Sequence, residues 1–216
     1  MMIEVYKGLD VDTILDRLPD DQLRHIHQVR KLVDAMSTFL YASGEYVHSA
    51  SGIEFKQFGA AAFYHDIGKV CIPPELLSKP DKLTAEEYRM VQMHPVFGKE
   101  LFAYIRTGEI PGISVELIPL AHDAAVYHHE WWDRTGYPYG IGGERIPFIA
   151  RVTAVCDAYD AMTSNRAYRA AHSHTSACDE LYKGSGTQFE PGLVNLFLQH
   201  EQAFSGLTLA KITAGE

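Results

Sequence analysis

Residues 20 to 42 place Leu23, Ile26, Val29, Leu32, Val33, Met36, Phe39 and Leu40 at intervals of three and four, the spacing that lines one face of an α-helix with apolar side chains. Asp20 or Asp21 is positioned as an N-cap, and Ser43-Gly44 supplies a stop. Such a stripe must be buried against partners, and the rest of the chain offers helices with little period-two alternation. The segment FKQFGAAAFY reads as a second helix whose Ala60, Ala61 and Ala62 permit close packing. Thr84-Ala85-Glu86-Glu87 forms a capping-box pattern opening a helix through Tyr88, Val91, Gln92 and His94, which Pro95 should break or kink. A further helix is expected from Val115 to Tyr127, kinked at Pro119. Another should follow Pro147, with an apolar stripe of Ile149, Val152, Val155, Tyr159 and Met162. The predicted fold class is all-α.

The chain has 216 residues, 46% of them hydrophobic, enough for one substantial core. Residues 1–20 read as a short N-terminal cap and 21–216 as a single domain, expected to be free-standing. No apolar run reaches the roughly eighteen residues a membrane span requires, and MMIEVYKGLDVD lacks a signal-peptide profile. A cytoplasmic protein without membrane association is therefore expected. Cys71, Cys156 and Cys178 are odd in number and widely separated, which argues for reduced, mostly buried thiols and against a disulfide framework. A formal charge of −9 disfavours duplex nucleic acid as partner. A small phosphate compound stays compatible if a few cations gather locally.

The chemistry concentrates on His65-Asp66 within HDIGK, accompanied by His27, His94, His128, His129 and Asp157. One histidine beside an apolar helix face is usually a packed or hydrogen-bonded residue, but here the company changes its meaning. His65-Asp66 offers an imidazole and a carboxylate that can bridge two cations, and His128-His129 offers two nitrogens from one helix end. This donor set suits iron, manganese, zinc or nickel better than calcium or magnesium, with iron or manganese preferred. Two such ions form the usual apparatus for cleaving a phosphodiester by in-line attack of water. His25, His48, His122, His172, His174 and His200 lack such neighbours in sequence and read as surface or packing residues.

WWDRTGYPYGIGGERIP is crowded with turn formers and reads as a loop after His128-His129-Glu130. Together, HDIGKVCIPPELLSKPDKLTAEEYRMVQMHPVFG, HHEWWDRTGYP and RVTAVCDAYDAMTSNRAYR resemble the HD-GYP subgroup of the HD phosphohydrolase superfamily, from His27 to about residue 192. The resemblance implies a five-helix HD core with extra helices and a GYP loop, a polynuclear metal centre, and hydrolysis of a cyclic dinucleotide, typically cyclic di-GMP. By matching position it implies His27, His65, Asp66 and Asp157 as ligands of one metal and His94, His128 and His129 as ligands of the second, with Asp66 bridging. Lys69, Arg166 and Arg169 then resemble the phosphate-contacting cations, and Glu130 can tune a histidine. Some members hold a third metal through a glutamate one helical turn before the first histidine; that position is Leu23 when His27 is first, so two ions are expected. Arg134 stands where the family has glycine, and would strain or reshape the loop if positive φ is needed there. The loop is expected to serve substrate choice or a protein partner. Alternatives are a non-catalytic module binding a cyclic dinucleotide or partner, and a generic HD nucleotidase.

Overall fold

The computed structural model describes residues 3–165 and 170–213. Among them the structure is helical, with no strand and one isolated bridge between Ser185 and Phe189. A 3-10 turn at Ile3–Tyr6 leads to α1 (Val11–Leu15), α2 (Asp20–Ser43), α3 (Gly52–Phe55), α4 (Phe58–Ala62), a 3-10 turn at Ile67–Cys71, and α5 (Pro74–Leu77). There follow α6 (Ala85–Val91), α7 (His94–Arg106), α8 (Ile118–Tyr127), a 3-10 turn at Gly143–Arg145, α9 (Phe148–Thr163), α10 (His174–Lys183), α11 (Pro191–Gln199) and α12 (Glu201–Thr213). The expected all-α class is observed.

The apolar stripe of α2 organises the core. Ile26, Val29, Leu32, Val33 and Met36 have no accessible surface, and α2 packs on α4 and α9 while α8 closes against both of those helices. Ala61 and Ala62 are fully buried, and their small side chains let the short α4 sit centrally between longer helices. Phe58 and Tyr159 are among the largest fully buried side chains; truncating such an aromatic typically costs about 3–5 kcal/mol. The N-terminal segment joins this core through Ile3, Tyr6, Val11 and Ile14, and the Tyr6 hydroxyl donates to the Val70 carbonyl at 2.7 Å. It is thereby tied to the chain just beyond the HD pair.

Several expected helix boundaries move, for one recurring reason. Pro95 does not break a helix that carries His94: α6 has ended by Val91, and α7 begins at His94 with proline in its first turn. Pro119 likewise opens α8 instead of kinking a longer helix from Val115. Proline is suited to the first turn because the amide it lacks would have no intrahelical acceptor there. FKQFGAAAFY is divided between α3 and α4. Pro19, not an aspartate, occupies the N-cap of α2, whereas Gly44 stops that helix at φ 70 as its type suggests. The Thr84 capping box is present in full. No helix among the described residues is long and apolar enough to cross a membrane.

Candidate metal centre

Five stretches of backbone deliver one cluster. His25 comes from the first turns of α2, His65 and Asp66 from the turn after α4, His94 from the start of α7, His128 and His129 from the end of α8, and Asp157 from the middle of α9. Gly68 allows two of these stretches to meet: a Cβ there would run into the His94 carbonyl and the Gly98 amide. The glycine of HDIGK thus lets the turn holding Asp66 lie against the start of α7.

Hydrogen bonding fixes which imidazole nitrogen faces inward. Nδ1 lies 2.8 Å from the Ala62 carbonyl in His65, 2.8 Å from the Val91 carbonyl in His94 and 2.8 Å from the Ala124 carbonyl in His128. A carbonyl can only accept, so each Nδ1 carries the proton and each neutral ring presents a bare Nε2 lone pair. In His25, Nδ1 meets Asp160 Oδ2 at 2.6 Å. These Nε2 atoms converge on Asp66, whose two oxygens face different groups. Oδ2 is 3.3 Å from His65 Nε2 and 3.6 Å from His25 Nε2, while Oδ1 is 3.3 Å from His94 Nε2 and 3.9 Å from His128 Nε2. Asp157 Oδ1 joins the first group, 3.0 Å from His25 Nε2 and 3.9 Å from His65 Nε2.

This arrangement fits metal ions. Donor atoms of His25, His65 and Asp157, and separately of His94, His128 and His129, lie within 4.8 Å of one another. His65 Nε2 and Asp66 Oδ1 are buried without a hydrogen-bond partner, and His94 Nε2 stands 3.4 Å from His128 Nε2. Lone pairs aimed at one another and at a carboxylate repel unless a cation lies among them.

Burial disfavours charge throughout. It dominates at His94, pushed down to about 3, at His129, pushed down to about 4, and at His128, held well below the usual range. Neutral imidazole is the form a metal requires. Burial also works against a charged His25, but Asp157 and Asp160 outweigh it and raise that group to about 9 in the metal-free protein. Asp66 and Asp157 would be raised by burial; Lys69 for the first and His25 for the second, each with further histidines, hold the carboxyls well below their ordinary value.

The placement of the expected residues is mostly convergent. His65, Asp66, His94, His128, His129 and Asp157 come together; His27 does not. His27 is exposed and packs edge-on against Phe63, with ring centroids 5.0 Å apart. His25 takes its place, being on the buried face of α2. The position one turn before the first inward histidine is accordingly Asp21, not Leu23, so Leu23 no longer argues for two ions. Lys69 Nζ donates to Asp66 Oδ2 at 2.6 Å and to Gln22 Oε1 at 3.0 Å. Arg166 and Arg169 lie outside the described residues.

Three residues gain roles that their sequence position did not disclose. Asp160 orients His25 through its Nδ1. Gln22 holds the amine of Lys69. Glu130, only 2% exposed, accepts hydrogen bonds from the amides of Tyr139 at 2.6 Å and Ile141 at 3.0 Å. It therefore anchors the loop instead of touching a histidine through any hydrogen bond described. Tyr137 of the loop stacks on His129 with centroids 4.7 Å apart. Arg134 adopts φ 74, the left-handed region that favours glycine.

An HD domain family model matches residues 47–193. A cyclic di-GMP phosphodiesterase of Vibrio cholerae is 37% identical over 180 residues, covering 83% of this chain and 36% of that relative. A 3'3'-cGAMP-specific phosphodiesterase 2 of the same organism is 37% identical over 140 residues, 65% of this chain and 25% of that relative. The chain thus spans well under half the length of these relatives. In fold it is similar to the L. monocytogenes phosphodiesterase PgpH HD domain, solved in complex with cyclic-di-AMP, with a TM-score of 0.56 and 17% identity, covering 94% of this chain and 95% of that one. With most of its length matched and the HD pair at the centre of the histidine cluster, the chain belongs to the HD domain family, of the HD-GYP type.

Proposed function

We propose that this chain is a metal-dependent phosphodiesterase that opens a cyclic dinucleotide, cyclic di-GMP first among them, to its linear dinucleotide pGpG and onward to GMP. The observation that carries the reading is the convergence of bare imidazole nitrogens on the two oxygens of Asp66. His25, His65 and Asp157 would hold one divalent transition-metal ion and His94, His128 and His129 the other, with Asp66 between them; iron or manganese suits this nitrogen and carboxylate set best. When bound, two such ions supply an activated water and neutralise charge growing on the phosphoryl oxygens. Asp160 and the backbone carbonyls behind His65, His94 and His128 keep each imidazole in the ligating tautomer. Lys69, beside Asp66, would offset phosphate charge, and Arg166 and Arg169 would share that role. Tyr137, stacked on His129, and the Glu130-anchored loop would border the dinucleotide, and the loop's outer face would serve a protein partner.

The relatives named for cyclic di-GMP and for 3'3'-cGAMP support the substrate class and leave two bases in competition. Protein of measured metal content, incubated with a panel of cyclic dinucleotides and mononucleotides, should yield a linear dinucleotide on chromatography from at least one cyclic dinucleotide. Hydrolysis of mononucleotides alone would replace this reading with that of a general nucleotidase. Binding without product would replace it with that of a non-catalytic module.

A further inference from the structure

Beyond the HD centre, α10 and the first residue of α12 bring three different donor groups together. His174 and Cys178 lie one turn apart on α10, with Cys178 Sγ 3.8 Å from both ring nitrogens of His174. Glu201 Oε2 approaches His174 Nε2 to 3.9 Å, and one donor atom from each of the three residues lies within 4.8 Å of the others. Ligands at ordinary zinc distances on a tetrahedron stand roughly 3.3–3.6 Å apart, so the two separations from His174 need to close by only roughly half an ångström. Tyr159 supplies orientation: its hydroxyl oxygen is 2.8 Å from His174 Nδ1. In the tautomer whose Nδ1–H donates to that oxygen, Nε2 offers its lone pair toward Glu201.

We propose that His174, Cys178 and Glu201 form a second site for a zinc-class divalent cation, separate from the HD centre and completed by water. Sulfur, nitrogen and oxygen donors in one set select a borderline-soft ion, whereas the HD centre offers nitrogen and oxygen only. Binding displaces the Cys178 thiol proton, and the cation offsets the mutual repulsion of thiolate and carboxylate. The ion would clasp α12 to α10 across Tyr159. Tyr159 lies two residues along α9 from Asp157, which at 100° per residue puts it on the other side of that helix.

Cobalt(II) is the probe, because a cysteine thiolate on cobalt gives a near-ultraviolet charge-transfer absorption that imidazole and carboxylate ligands do not. The full chain, stripped with chelator, is titrated with cobalt(II) and then with zinc(II). The band should reach the intensity of one thiolate-bound cobalt per chain, saturating only once the HD centre has also been filled, and bleach when zinc displaces it. It should vanish in Cys178→Ser, persist in Cys71→Ser, and require about 10- to 100-fold more cobalt in Tyr159→Phe. Glu201→Ala, at a partly exposed helix start, should fold as the parent does by circular dichroism and lose the band, so the test does not rest on a core variant. Absence of the band in the parent at excess cobalt, or its survival in Cys178→Ser or folded Glu201→Ala, overturns the proposal.

Discussion

Replacing His25 with alanine should damage both stability and metal binding, while the same change at His27, two residues on, should cost little stability and no metal. His25 is 7% exposed and spans two carboxylates, Asp160 at 2.6 Å and Asp157 at 3.0 Å. Removing one partner from a buried charged pair usually costs about 3–5 kcal/mol, because the other is left uncompensated. Asp160 retains a hydrogen bond from Ser164 Oγ at 3.0 Å, so the lower end, about 3 kcal/mol, is expected. His27 is exposed and has its edge-on contact with Phe63, worth about 0.5–1 kcal/mol. Urea unfolding of the metal-free proteins measures the first difference. Metal analysis after dialysis against a weak chelator measures the second, with His25→Ala losing ion from the Asp157 side of the cluster. Retained metal in His25→Ala together with lost metal in His27→Ala would refute the assignment and restore His27 as the ligand.

Lys69→Ala and Arg166→Ala should each keep the parent's metal content yet lose about 10²- to 10³-fold in turnover, since these cations are assigned to phosphate charge; metal analysis beside rate measurement checks it, and loss of metal from either variant contradicts the division of roles. Arg134→Gly should leave metal content unchanged and raise stability by about 1 kcal/mol or less, relief of the left-handed backbone being partly offset by the freer unfolded chain. Comparing its rates on cyclic di-GMP and cyclic GMP-AMP with the parent's tests whether the loop borders the substrate; identical rates on both would make the arginine functionally silent. The metal-free protein should lose stability as pH falls from 6.5 toward 4. His94 and His129 are pushed down to about 3 and about 4 when folded, so the unfolded chain binds more protons across that window. His25 acts in the opposite sense: raised to about 9, it contributes fully below 6.5 and its contribution fades as pH climbs through 9. Urea midpoints across pH should show both flanks, and a flat profile would contradict the burial argument.

Much of the fold was legible because helical periodicity and core burial express the same constraint. The stripe from Ile26 to Leu40 shows in the spacing and is buried apart from Phe39, which is partly covered. The misread histidine was legible too. His25 is in step with Val29, Leu32, Met36 and Leu40, whereas His27 is in step with Lys31, Asp34 and Thr38, and the burial pattern follows that phase. Motif position points to His27, whereas helical phase points to His25. Pro95 reads as a break or kink and Pro119 as a kink because proline signals a boundary without showing whether a helix ends or begins. The roles of Asp160, Gln22 and Glu130 depend on contacts made across the fold: Asp160 meets a residue 135 positions away in the chain, and Gln22 one 47 positions away. No local pattern carries such pairings. His174 and Cys178 show helical spacing in sequence, but Glu201 reaches them only through the packing of the C-terminal helices.

If Asp66 joins two metal ions, the parent and Asp66→Ala must differ in metal content. Counting the difference keeps any ion held at Cys178 from entering the result. The side chain is 1% exposed, with oxygens directed to opposite histidine groups, so its removal deprives both ions of the charge that offsets their repulsion. The parent should exceed the variant by about two transition-metal ions per chain after equal dialysis. Equal metal content in the two proteins would contradict the bridging role of Asp66.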